Sequence, residues 1–211
     1  MSKIIAKDSG GGTDFEPVPE GIHVCVCDAV IGLGLQQTNY GPKEQVYLRW
    51  QVVGQTVDIK GEQMPMVLGN VYTLSLAEKA NLRKHLEAWR GRKFTETELA
   101  GFDIGSVVGA GCQIQVVHNQ SADKTKTYAN IGSIMGLPAG TPKPAVVGQT
   151  IVYNHDEGET TVSMSLPAFL RKKLGLEVQD KQREPGSDDG PKQQSNTAPA
   201  PDVPYNDEIP F

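Results

Sequence analysis

The sequence predicts a mainly β protein: a closed five-stranded barrel with one helix between strands three and four, then a hairpin and helix extension and a disordered tail. Three observations lead there. Apolar and polar residues alternate over several stretches before residue 75; one stretch with helical spacing interrupts them, and the alternation then resumes. Beyond residue 176 the composition turns to Gln, Ser, Asp, Gly, Pro, Asn and Ala, too little apolar surface to offset the entropy of ordering. The 211 residues, 38% hydrophobic with 23 Gly and 14 Pro, suit one domain with extensions.

Residues 1–14 end in Ser9-Gly10-Gly11-Gly12-Thr13 and read as a flexible arm. The first strand follows Pro17-Val18-Pro19-Glu20-Gly21 and is apolar on both faces: Ile22, Val24 and Val26 on one, Cys25, Cys27 and Ala29 on the other. Gly32 and Gly34 interrupt it as in a strand that bends or bulges. The second strand is cleaner, with Val46, Leu48, Trp50 and Val52 facing a core and Gln45, Tyr47, Arg49 and Gln51 on a polar face. Residues 57–59, 64–68 and 71–74 continue the meander. Ser75-Leu76-Ala77-Glu78 has the spacing of a capping box, Leu82, Leu86 and Trp89 form an apolar stripe, and Gly91 ends the helix. A second box, Thr95-Glu96-Thr97-Glu98, opens a short turn ending at Gly101. Cys112, Ile114 and Val116 mark the fourth strand, and the loop 119–125 with the strand 127–131 completes a hairpin.

Three strands, a helix and two strands is the element order of an OB-fold, whose closure removes exposed sheet edges. The expected division is an arm at 1–14, the barrel at 15–140, an extension at 141–176 and an acidic tail at 177–211. In the extension, residues 145–153 and 160–164 are expected to pair around Asp156-Glu157-Gly158. Ser165 then caps a helix with Leu166, Phe169, Leu170 and Leu174 inward and Arg171, Lys172 and Lys173 solvated.

Net charge is −5, and its distribution matters more than its value. From Glu177 onward there are eight acids and three bases, so the first 176 residues carry 17 of each. A neutral body holds a basic groove only locally. Cys25, Cys27 and Cys112 form no CxxC pair and have no His cluster near them, which predicts core thiols in a reducing compartment and no metal. No apolar run spans a bilayer and no signal sequence opens the chain, so a soluble cytoplasmic protein is expected. GxxxxGK[ST], HExxH and GxSxG are absent, and the neighbours His155-Asp156-Glu157 point different ways, so no catalytic residue and no cofactor are assigned.

Several stretches of the body resemble a family of phage-encoded single-stranded DNA-binding proteins with an OB-fold core. They are residues 17–24, 46–53 and 107–117, the run Leu82-Arg83-Lys84-His85-Leu86-Glu87-Ala88-Trp89-Arg90-Gly91-Arg92, Thr127-Tyr128-Ala129-Asn130-Ile131 and Leu166-Pro167-Ala168-Phe169-Leu170. The likeness covers most of residues 15–176. It implies sequence-tolerant binding of single strands in phage DNA replication, recombination and repair, inside the host cytoplasm. Such binders combine cations for the backbone with rings on which bases stack. The residues of that kind are Tyr47 and Arg49 on the polar strand face, Tyr40 and Lys43 in the preceding turn, and Lys124, Lys126 and Tyr128 in and after the closing loop. Arg90, Arg92 and Lys93 rank second, because they end a helix whose carbonyl end attracts cations. Trp50 and Trp89 lie in phase with aliphatic neighbours and read as core.

The chain ends Tyr205-Asn206-Asp207-Glu208-Ile209-Pro210-Phe211, similar to the acidic C-terminal tip of bacterial single-stranded DNA-binding proteins. Asp207 and Glu208 with the terminal carboxylate suit a basic pocket on a partner, and Ile209, Pro210 and Phe211 an apolar one. The resemblance implies replication or recombination proteins as partners. As a flexible chain, residues 177–211 have an end-to-end distance of about 30–35 Å, and their charge is expected to compete weakly with DNA. The rival reading is an interaction module or mimic that uses the tip to occupy host replication and repair proteins without binding DNA. Oligomeric state is not legible, a homo-oligomer included.

Overall fold

Three long strands lead the fold: β1 (Gly21–Thr38), β2 (Gly41–Ile59) and β3 (Glu62–Thr73), joined as an antiparallel meander. Helices α1 (Asn81–Arg90) and α2 (Glu96–Ala100) and a 3₁₀ turn at Ile104–Val107 follow. Strands β4 (Gly111–Gln120) and β5 (Thr127–Met135) form a hairpin, and β6 (Ile151–Asn154), α3 (Thr161–Ser165) and α4 (Ala168–Lys173) complete the sequence of elements. This computed structural model describes residues 16–59, 61–121, 124–158 and 160–176, all within the unit 1–178. The expected arm and the expected acidic tail with its tip lie outside the described residues.

The sheet runs β3-β2-β1-β4-β5, antiparallel throughout, with β6 added parallel to β1. It is curled, so that its outermost members β3 and β5 come near one another; no ladder joins them among the described residues. β1 creates the curl. Its register slips between Cys27 and Ala29 and again between Gly32 and Gly34, and each bulge adds local twist. Gly34 takes φ +66, and a Cβ there would press into the His155 ring, so the second bulge requires glycine.

The first core lies between one face of the sheet and α1. Val46, Leu48, Trp50 and Val52 meet Leu82, Leu86 and Trp89, with the two tryptophan rings 5.9 Å apart. The Trp89 indole donates to the Gly111 carbonyl at 2.8 Å, tying the helix to the start of β4. Gly91 ends α1 in the left-handed region at φ +67, as its position in the sequence implies. The start differs from expectation: α1 begins at Asn81 behind Ala80, with no side-chain cap. Ser75 instead accepts from the Ala77 amide at 3.2 Å, so its hydroxyl shapes the preceding turn. The Thr95–Glu98 box does form, with both reciprocal bonds present.

A second core covers the opposite face. Ala29, Ile31, Leu33 and Tyr47 from β1 and β2 pack against Tyr153, Leu166 and Leu170 from the extension. β1 is thus sandwiched, which explains its run of apolar residues on both sides. The expected hairpin of residues 145–153 with 160–164 is not what forms. β4 pairs with β1 only over residues 21–26, leaving the edge beyond it open, and β6 fills that edge in parallel at Ala29–Gly32. Residues 161–165 turn helical because Thr160 accepts from the Ser163 amide and Ser163 accepts from the Thr160 amide, a local box that competes with extended pairing.

Leu170 has no exposed surface, so the Leu170→Ala variant should lose about 2–5 kcal/mol of stability in urea titration. A loss below about 0.5 kcal/mol would mean that the extension barely packs on the sheet.

Candidate nucleic-acid interface

Two hairpins and the segment at residues 16–18 line a groove, a cavity of about 860 Å³. One wall is the far end of the β2–β3 hairpin, where Val57, Ile59, Pro65 and Val67 line it. The other is the β4–β5 hairpin at residues 125–129, and residues 16–18 lie along the floor. His118 fixes that floor: its Nε2 lies 2.7 Å from the Val18 carbonyl, and its amide donates to Glu20 at 2.8 Å. The β4–β5 turn is closed by the Ser121 amide donating to the Lys126 carbonyl and by the Lys126 amide donating to the Ser121 hydroxyl, with Lys124 in the left-handed region at φ 57.

Alternation on β5 sends Ala129 and Ile131 toward the first core and leaves Tyr128 53% exposed beside the groove. Ile59, Met64 and Val67 are exposed on the opposite arm. Lys126 lines the groove, Lys124 stands exposed in the adjoining turn, and Glu16 contributes one acid to the lining. The arrangement offers a ring and cations on one side and an aliphatic wall on the other.

The other sequence candidates separate. Tyr40 is 78% exposed and Lys43 exposed, but both sit at the β1–β2 turn, the opposite end of β2 from the groove. Tyr47 and Arg49 do share a strand face, yet that face is not open. Tyr47 is buried, edge-on to Phe169 at 5.7 Å, and lies so close over Gly69 that no side chain fits there; burial raises its hydroxyl pKa. Arg49 donates twice to Asp28, at 3.0 and 2.9 Å, and Asp28 is buried. Both side chains are committed to the second core and its polar edge, because the extension covers the face that alternation alone leaves to solvent.

Arg90 and Arg92 both pair with Glu98, and the Arg90 guanidinium also lies over the Phe94 and Phe102 rings at 4.5 and 5.0 Å. They bolt α2 to the end of α1; Lys93 is exposed. Trp50 and Trp89 are buried as expected. The three cysteines are buried free thiols, and burial pushes Cys25 and Cys27 up to about 12. Sequence reasoning missed the aliphatic arm of the groove, although Val57, Ile59 and Met64 on a short hairpin between charged residues were a signal. It also missed Asp28, a lone acid inside an apolar strand. Among the described residues no His, Cys, Asp and Glu group is arranged to hold a metal, and no helix is long and apolar enough to cross a membrane.

Compared with protein-family models and with curated proteins, the sequence matches none.

Hydrogen bonds from Arg92, the Thr95 amide and Arg90 pull the Glu98 carboxyl from 4.5 down to about 2. A depressed folded-state pKa stabilises the protein above the unfolded value and ceases to do so as pH falls through the folded one. Wild type should therefore lose melting temperature between pH 4.5 and about 2 more steeply than Glu98→Gln. Parallel acid limbs would show that this cluster adds no stability.

Proposed function

We propose that this chain binds single-stranded DNA without sequence selection, in phage DNA replication, recombination and repair, and catalyses no reaction. The supporting observation is the groove between the β2–β3 and β4–β5 hairpins, where exposed Tyr128 stands with Lys126 and Lys124 facing an aliphatic wall. A base stacked on an aromatic ring gains roughly 1–3 kcal/mol whatever its identity, and lysines beside it neutralise phosphates. The curled strand path β3-β2-β1-β4-β5, with β3 and β5 approaching, supports an OB-type barrel, a fold that holds oligonucleotides near these loops. On this reading the sequence resemblance and the groove agree on ligand class. The tip at Asp207–Phe211 would recruit replication or recombination proteins in the host cytoplasm.

One observation favours the rival, a protein-interaction module: Val57, Ile59, Pro65 and Val67 make the far wall wholly apolar, as a hydrophobic peptide requires. Fluorescence titration with poly-dT separates the two. The expected result is salt-sensitive binding, much weaker binding to duplex and no cleavage. Tyr128→Ala should weaken binding by about 1–3 kcal/mol, with Lys126→Ala weakening it further and flattening the salt dependence. Tyr47→Ala should act on stability instead, because its ring is packed in the second core. Absence of binding at low salt overturns the proposal.

A further inference from the structure

The extension does more than bury a sheet face. α4 crosses β1 and β2 from Tyr47, where Phe169 packs, to Gln36, whose side-chain amide donates to the Lys173 carbonyl at 2.8 Å. Lys43 is the direct cross-strand partner of Gln36, and paired residues project to the same face. Lys43 therefore emerges beside the C-terminal end of α4, which carries Arg171, Lys172 and Lys173. Cations from two distant parts of the chain are thus brought to one region, Lys43 from β2 and Arg171, Lys172 and Lys173 from the last turn of α4, while Glu44 projects to the other side with Leu35. None of the four is in an ion pair among the described residues, and Arg171 Nε is buried with no hydrogen-bond partner. The same two elements carry exposed rings: Tyr40, 78% exposed, in the β1–β2 turn next to Lys43, and Phe169, 51% exposed, on α4.

A helix end attracts cations to its own carbonyls, which accounts for Arg171, Lys172 and Lys173 singly. It does not account for Lys43 on another element, for the orphaned guanidinium nitrogen, or for the two exposed rings. Clustered cations interleaved with rings are the makings of a track for a single-stranded polyanion.

We infer that this face is a second contact for the same DNA single strand, separate from the groove. The inference rests on the reading of the groove as a single-strand site. Lys43 and Val57 are separated along β2 by about 45 Å of contour at roughly 3.3 Å per residue, less where the strand curls. A short oligonucleotide therefore fills the groove alone, and a long one passes along the protein to the α4 face. Phosphates bind the lysines and Arg171, and Tyr40 and Phe169 each take one base.

The test compares dT oligomers of about 5 and about 25 nucleotides, one near the lower end of the range that one such domain occupies and one above it. The variant combines Lys43→Ala, Lys172→Ala and Lys173→Ala; all three side chains are exposed, and an unchanged urea midpoint checks the fold. Its affinity for the short oligomer should equal wild type. For the long oligomer the log–log salt dependence should be shallower by about 2, at roughly 0.7 per lost phosphate contact. The groove variant Tyr128→Ala should weaken both lengths. If the triple variant keeps the wild-type salt slope on the long oligomer while Tyr128→Ala weakens binding, the second contact is wrong and the groove stands. If wild type binds neither oligomer, the groove reading itself is wrong.

Discussion

A buried carboxylate at a bulge organises this protein. Asp28 sits where the β1 register slips, 1% exposed, and accepts from Arg49 Nε and Nη2 and from the Gln51 side-chain amide at 3.1 Å. A charge removed from water is tolerated only when its lone pairs are satisfied, and breaking such a pair costs about 3–5 kcal/mol. Gln51 passes the constraint onward, donating to the Val147 carbonyl and accepting from the Val147 amide, both at 2.8 Å. One bulged residue thus fixes β1 to β2 and clamps the chain leading into β6.

The consequences are topological. Ala110 and Gly109 still bond Cys27, but past Asp28 the β4 ladder has ended. The vacated edge takes β6 in parallel, and β6 brings α3 and α4 onto the outer face. A sheet that would have one wet face is then packed on both along β1 and the middle of β2. A ligand of this sheet face is left only the parts of the hairpins that reach beyond the extension, or the outer surface of the extension itself. The polar residues of the β2 face change role accordingly, from ligand contacts to the girders of the second core.

Much of the architecture was readable because it depends on local rules. Period-two alternation identifies β2 and β4, the 3.6-residue stripe Leu82-Leu86-Trp89 identifies α1, and Gly91 marks its end. Tyr128 and Lys126 stand exposed beside the groove for the same reason: a short hairpin's outward residues stay outward. The start of α1 was misread because Ser75 and Glu78 have the spacing of a cap without the backbone that uses it. Tyr47 and Arg49 were misread because alternation says which residues share a face and nothing about what later covers it.

The sequence by itself determined the strand meander, the apolar stripe of α1, the two core tryptophans and the acidic character of residues 177–211, all properties of composition and short-range period. Only the tertiary structure decided which sheet face is covered, that β6 joins β1 in parallel, and that Gln36 on β1 reaches the end of α4. Those outcomes depend on a buried charge pair between residues 21 positions apart and on contacts across more than 90, where no periodicity reaches. The first strand held the clue: it is apolar on both faces because two separate cores lie against it.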